Sequence, residues 1–105
     1  MQRLALRQLH IQEEPPPMAI IRTTNGSQLA CFHDSDLVID ATMLPEVWHL
    51  RLHSPNKQPQ LIATGDADDL RALLDLMRPL LVDASDRDVV DAGALLAQVA
   101  ARSVA

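Results

Sequence analysis

A segment of strictly alternating polarity, residues 48–53, carries the side chains best suited to bind an ion. Its polar members share one face of a predicted strand: His49, Arg51 and His53. Two histidines four positions apart on a strand are separated by about 13 Å, too far to hold one ion without a neighbouring strand. We interpret the three residues as a solvated polar face. Ligand or nucleic-acid binding through this face is the alternative function.

Cys31 and His33 could form a nucleophile and base pair, because alternate residues of a strand share a face. The pattern places neither a third orienting group nor a helix N-terminus near Cys31 to lower its pKa. A small core cysteine is the expected role. As the single cysteine of the chain, it leaves no internal disulfide and no Cys-based zinc site, which fits a reducing compartment and predicts a cytoplasmic protein.

Aspartates cluster in residues 66–69 and 83–91, which raises the question of calcium. Neither cluster has the alternating ligands, central glycine and distant glutamate of an EF-hand loop, and helix capping explains both. Phosphate-binding and hydrolase motifs are absent from the sequence. We therefore predict a protein without catalytic, metal-binding or cofactor-binding residues, and thus without cofactors.

Charge and composition disfavour two classes of partner. The net charge is −5, and residues 66–105 alone contain eight aspartates and four arginines, so a phosphate backbone would be repelled. Aromatic residues are 2% of the chain, too few for a base-stacking surface. No apolar run approaches the 18 residues of a membrane span. Protein partners, including a second copy of the chain, remain the favoured class.

Three consecutive prolines at 15–17 divide the chain. Because they favour an extended segment, we predict an N-terminal arm with a Pro-rich linker over residues 1–17 and a single domain over 18–105. The arm alternates like a strand over residues 4–11, but the spacing of Leu4, Gln8 and Ile11 also fits a short helix. Met18 is a possible alternative start, so the arm is either mobile or an artefact of start-site choice.

Short extended runs follow from residue 18 to residue 64. Asn25-Gly26 joins two of them and predicts a β-hairpin with a type I′ turn. Three further runs are predicted as strands: residues 37–43, 47–53 and 61–64. Together they predict an antiparallel sheet of four or five strands within about 18–64.

Two helices are predicted after the strands, at about 66–78 and 86–101. Asp66 with Asp69, and Ser85 with Asp88, have the spacing of helix-capping pairs, and Pro79 should end the first helix. Strands followed by helices indicate an α+β fold with both helices packed on one face of the sheet. The expected core is aliphatic apart from one tryptophan: Trp48, Leu50, Leu52, Leu70, Leu73, Leu74 and Met77.

Several apolar residues fall on strand faces opposite the expected core. We interpret them, with two residues of the Ala-rich final helix, as a possible interface: Phe32, Val38, Leu44, Val47, Leu95 and Val99. The strand residues among them could instead be covered by the N-terminal arm, and a register error of one residue would exchange the faces. The sequence thus predicts a small non-catalytic protein-interaction or assembly module that self-associates.

Overall fold

A computed structural model describes residues 17–84 and 88–104. Within these ranges the fold is α+β, as predicted, with six strands and two helices. In chain order the elements are β1 (Ala19–Arg22), β2 (Gln28–Cys31), β3 (Asp36–Ala41), β4 (Trp48–His53), β5 (Gln60–Gly65), α1 (Ala67–Val82), β6 (Val89–Asp91) and α2 (Ala92–Val104). The predicted N-terminal arm, apart from Pro17, and the predicted cap residue Ser85 lie outside the described residues.

The strands form two sheets of three, which corrects the single antiparallel sheet predicted from the sequence. Sheet A has the order β2-β1-β6, and sheet B has the order β3-β4-β5. The strands β1 and β2 are antiparallel, β1 and β6 are parallel, and sheet B is antiparallel throughout. The division falls at the turn after β2, where the Phe32 N–H donates to Ser35 Oγ at 3.0 Å and the Ser35 N–H donates to the Phe32 carbonyl.

The predicted hairpin between β1 and β2 is confirmed, but its turn differs from the predicted type. Gly26 has a φ of 93°, whereas Asn25 is not among the described residues with positive φ, so the turn is not type I′. The Thr23 N–H donates to the Ser27 carbonyl and the Gly26 N–H to the Thr23 carbonyl. The loop is therefore longer than two residues and needs only one left-handed position, which glycine supplies.

The helix α1 begins as predicted and ends later than predicted. Asp66 caps it, because one carboxylate oxygen accepts from the Asp69 N–H at 2.7 Å. The helix continues past Pro79 to Val82. Pro79 cannot donate to the Asp75 carbonyl, but Asp75 is exposed and its carbonyl can be hydrated. Leu81 is buried on the same stripe as Met77, which favours the extra turn.

The second helix begins at Ala92, six residues later than predicted, because residues 89–91 form β6 instead. Asp91 ends this strand and caps the helix: its Oδ1 accepts from the Ala94 N–H at 3.1 Å. Val90 is buried beside Ile21 of β1. The burial of Val90 in a sheet outweighs the helical tendency of this short segment.

One cluster of buried side chains draws on both sheets and both helices. The inner face of β4 contributes Leu50 and Leu52, and α1 contacts β3, β4, β5 and β6. Trp48, predicted in the core, is only partly buried at its edge. The remaining predicted core residues are buried: Leu50, Leu52, Leu70, Leu73, Leu74 and Met77.

Candidate functional site

The candidate site is the face of sheet B that points away from the helices, here called the outer face. It is formed by alternate residues of three strands: Asp36, Val38, Asp40, His49, Arg51, His53, Leu61 and Thr64. It exists because Leu50 and Leu52 of β4 are 0% and 1% exposed, which turns the residues between them outward. The predicted polar face is therefore present as a contiguous surface.

Cross-strand pairing gives this face its arrangement of charges. Asp36 of β3 lies opposite His53 of β4, and Asp40 lies opposite His49. Between them, Val38 lies opposite Arg51. An acidic stripe on β3 thus runs beside a stripe on β4 that carries Arg51 and two histidines.

Side-chain contacts fix part of the β4 stripe. Arg51 Nη2 lies 3.0 Å from His49 Nδ1, within hydrogen-bond distance. His53 Nε2 lies 3.8 Å from Asp40 Oδ2, an ion-pair distance when the imidazole is protonated. The same Nε2 atom is buried and has no hydrogen-bond partner among the described residues. One of these contacts therefore joins β3 to β4, and the other lies within β4.

A bulge in β5 determines which residues of this third strand point to the outer face. Leu50 pairs with Ala63 and Arg51 with Leu61, so Ile62 is the extra residue. Ile62 and Ala63 are both buried, while Leu61 is 43% exposed. The bulge lets the strand bury two consecutive apolar residues and still present Leu61 on the outer side.

Sequence reasoning missed the acidic half of this face. The predicted strand began at residue 37, one residue after Asp36, whereas β3 begins at Asp36, so Asp36, Val38 and Asp40 alternate on the outer face. The sequence did not predict the register between β3 and β4, which places these residues beside Arg51 and the two histidines. Val38 from the predicted interface and the three residues of the predicted polar face therefore belong to one surface.

The structure separates the other predicted interface residues. Phe32 is half-buried at one end of sheet B, where Lys57 Nζ lies 4.4 Å from its ring centroid. A 2.8 Å hydrogen bond between Ser35 Oγ and Ser54 Oγ joins the same two loops. Phe32 therefore already has a packing partner within the domain.

Leu44 and Val47 lie in the loop between β3 and β4, at the other end of the sheet. Leu44 is 63% exposed and Val47 is half-buried. Thr42 Oγ1 donates to the Val47 carbonyl at 2.6 Å and accepts from the Leu44 N–H at 3.1 Å, which holds the loop closed. The fully exposed Met43 forms its tip with Leu44.

Leu95 and Val99 of α2 face the interior. Leu95 is partly buried against the core, and Val99 is 5% exposed. Val99 lines a shallow cleft of about 260 Å³ with Asp68, Asp69, Ala72 and Arg102. The apolar surfaces of Leu95 and Val99 therefore pack mainly against the core.

Cys31 is buried, and His33 lies in the exposed turn that follows β2. Burial raises the pKa of the Cys31 thiol, which disfavours the nucleophilic thiolate. The contact of its Sγ with the Phe32 carbonyl is long, at 3.9 Å. This environment suits a packed thiol better than an attacking one.

Residues 17–84 and 88–104 contain no group of three or more His, Cys, Asp or Glu side chains placed to hold a metal ion. No helix in the described ranges has the length and apolar character to cross a bilayer. Comparison of the chain with protein-family models, with curated proteins and with solved structures finds no match.

Proposed function

We propose that this protein is a small non-catalytic protein-interaction module of the cytoplasm that self-associates through the outer face of sheet B. The observation that carries the proposal is the pair of unlike stripes on that face. Asp36 and Asp40 lie on β3, and Arg51 lies between two histidines on the adjacent β4. The cytoplasmic location rests on the single, unpaired cysteine.

Such a surface is self-complementary under a two-fold axis. When two copies meet face to face, the acidic stripe of one copy covers the Arg51 stripe of the other, and the reverse contact forms at the same time. Val38 and Leu61 supply apolar contact between the charges. An interface of this kind owes its specificity and register to charge complementarity.

Sedimentation velocity over a wide concentration range tests the proposal. Wild-type chain is expected to form a reversible dimer, and Arg51→Glu is expected to weaken its affinity by about tenfold or more, because it places like charges opposite each other. Arg22→Glu is the matched control. Arg22 is exposed on sheet A and paired with Asp91 at 3.7 Å, so this variant has the same net charge but an intact outer face.

A charge exchange makes the test specific. An equimolar mixture of Arg51→Glu with Asp40→Arg should form mixed dimers more strongly than either variant alone, because the opposite charges meet again. A wild-type chain that stays monomeric at every concentration contradicts self-association. Equal affinities for wild type and Arg51→Glu would place any dimer interface elsewhere.

Binding of a ligand or nucleic acid through His49, Arg51 and His53 is the competing function. Asp36 and Asp40 beside these residues oppose a polyphosphate, and the helices add further acidic charge. Binding of a single-stranded oligonucleotide at low salt, lost in Arg51→Glu and kept in Arg22→Glu, would favour this function over self-association.

A further inference from the structure

The hydrogen bond between Arg51 and His49 can run in only one direction. Arg51 Nη2 and His49 Nδ1 lie 3.0 Å apart, on alternate positions of β4. A guanidinium has N–H donors and no acceptor, so the imidazole nitrogen must accept. In this contact His49 Nδ1 therefore carries no proton, and the neutral ring has its proton on Nε2.

The neighbouring strands offer Arg51 no acceptor side chain directly across the sheet. Val38 lies opposite it on β3 and Leu61 lies opposite it on β5, and both side chains are aliphatic. The acidic residues of β3 are diagonal neighbours, two residues to either side of Val38. The hydrogen bond to His49 thus turns the guanidinium along its own strand.

Protonation of His49 abolishes this hydrogen bond. The imidazolium has a proton on both ring nitrogens, so Nδ1 becomes a donor that faces another donor. The contact would then also hold two positive charges, which repel each other at such a distance. Histidine is the side chain that ordinarily gains a proton between about pH 8 and about pH 5. A proton on His49 therefore frees the Arg51 guanidinium.

The charged groups around His49 come from its own strand, from β3 and from the adjoining loop. The strand β4 carries Arg51 and His53, and Asp40 lies opposite His49 on β3, with its Oδ2 3.8 Å from His53 Nε2. The strand β5 has no titratable side chain. The loop between β3 and β4 contributes the exposed Glu46. Among these groups, Arg51 is the one whose contact with His49 depends on a neutral ring.

We propose that His49 makes self-association through the outer face depend on pH: the neutral ring holds Arg51 along β4, and the protonated ring releases it toward a second copy. The inference rests on the proposed function, because the second copy presents its acidic stripe to this position. The released guanidinium and the new imidazolium charge act in the same direction, since each increases the positive charge that β4 presents. Acidification is therefore expected to tighten the dimer.

Nitrogen-15 nuclear magnetic resonance of the imidazole rings tests the hydrogen bond and does not require a dimer. At about pH 7.5 the neutral His49 ring should be the Nε2–H tautomer, with Nδ1 unprotonated. A neutral His49 that carries its proton on Nδ1 overturns the proposal, whatever the state of association, because such a ring cannot accept from Arg51.

Sedimentation velocity tests the consequence for self-association. Between about pH 7.5 and about pH 5.5, a range above that in which aspartates ordinarily titrate, the dissociation constant of the wild type should fall by about tenfold. In His49→Asn the amide oxygen takes the place of Nδ1 as an acceptor that does not titrate. Arg51 then stays held, and the response should shrink to about threefold, which protonation of His53 supplies.

The matched control is His33→Asn. His33 lies in the exposed turn after β2 and is not part of the outer face, so this variant loses one titratable histidine and should keep the tenfold response. Equal responses in His49→Asn and His33→Asn overturn the proposal even where a dimer forms. An affinity of the wild type that does not change with pH also overturns it, as would follow if the released guanidinium turned to an aspartate of its own chain. A wild type that is monomeric at both pH values contradicts the proposed function and this regulation with it, whereas the tautomer of His49 still shows whether the hydrogen bond forms.

Discussion

The two sheets differ in how far apart along the chain their strands lie. Sheet B is one continuous run of residues 36–65, in which every pairing joins consecutive strands. Sheet A pairs the β1–β2 hairpin with β6, which follows the whole of α1. Sheet B can form from local hairpins, whereas sheet A is completed only after the first helix has folded back.

The two sheets, although assembled differently along the chain, share one hydrophobic core. Ile21 of sheet A and Leu50 of sheet B belong to one cluster of buried residues, so the remote strand and the local meander share a core. Sharing a core predicts that the two sheets unfold together. Substitutions within sheet A test whether the two sheets nevertheless unfold as separate units.

The largest effect is expected from Ile21→Ala, at the centre of sheet A. Ile21 is fully buried between Leu29 and Val90, so its truncation should cost about 2–5 kcal/mol. Urea unfolding followed by Trp48 fluorescence reports on sheet B, and far-UV circular dichroism reports on the helices. We expect both transitions to shift to the same lower urea concentration.

Ile20→Ala on the same strand is the control. Ile20 is half-buried on the opposite face, so the loss should be smaller. If Ile21→Ala produced an early helix transition while the Trp48 transition stayed in place, sheet A would be a separate unit and the shared core would not couple the sheets.

The contrast between the sheets also explains what the sequence could predict. The Asn25-Gly26 hairpin, the alternation of β4 and the Asp66 cap depend on neighbours along the chain, and each was predicted. The strand β6 depends on a remote partner: Val90 is buried where β6 pairs with β1, beside Ile21. Its local pattern, with Ser85 and Asp88 at capping spacing, indicated the start of a helix instead.

The candidate site likewise combines a feature that depends on chain neighbours with one that depends on pairing between strands. The outward direction of His49, Arg51 and His53 was evident from alternation within one strand. Their neighbours Asp36 and Asp40 come from cross-strand register, which depends on where the intervening loop closes. The structure supplied that register, and with it the paired stripes.

A medium effect is expected from Asp91→Ala, which compares the caps of the two helices. Asp91 ends sheet A and accepts from the Ala94 N–H, while Asp66 follows sheet B and accepts from the Asp69 N–H. Each truncation to alanine should lower the free energy of unfolding by about 1 kcal/mol. Chemical denaturation of both variants measures the two losses on one scale.

Asp91→Asn separates the cap from the ion pair. Asparagine keeps the acceptor oxygen but loses the charge that faces Arg22 at 3.7 Å. Because both side chains of that pair are well exposed, the ion pair should add little, and this variant should stay close to wild type. A loss as large as that of Asp91→Ala would instead make the charge the stabilising feature.

The smallest effect is expected in alkaline solution and should arise from sheet A. Cys31 packs on its inner face opposite Ala19, whereas the buried side chains of sheet B are aliphatic: Leu50, Leu52, Ile62 and Ala63. Burial holds the pKa of the Cys31 thiol above its ordinary value.

The thiol of the unfolded chain therefore ionises at lower pH than the thiol of the folded chain. Below the ordinary thiol pKa both states keep the proton and the contribution is constant, but above about pH 8.5 the unfolded state gains stability by releasing it. Wild type should thus lose more stability than Cys31→Ala between about pH 7 and about pH 10. Urea midpoints of both proteins at each pH measure this difference. Equal losses of stability in the two proteins would show that ionisation of Cys31 does not contribute to the pH dependence of unfolding.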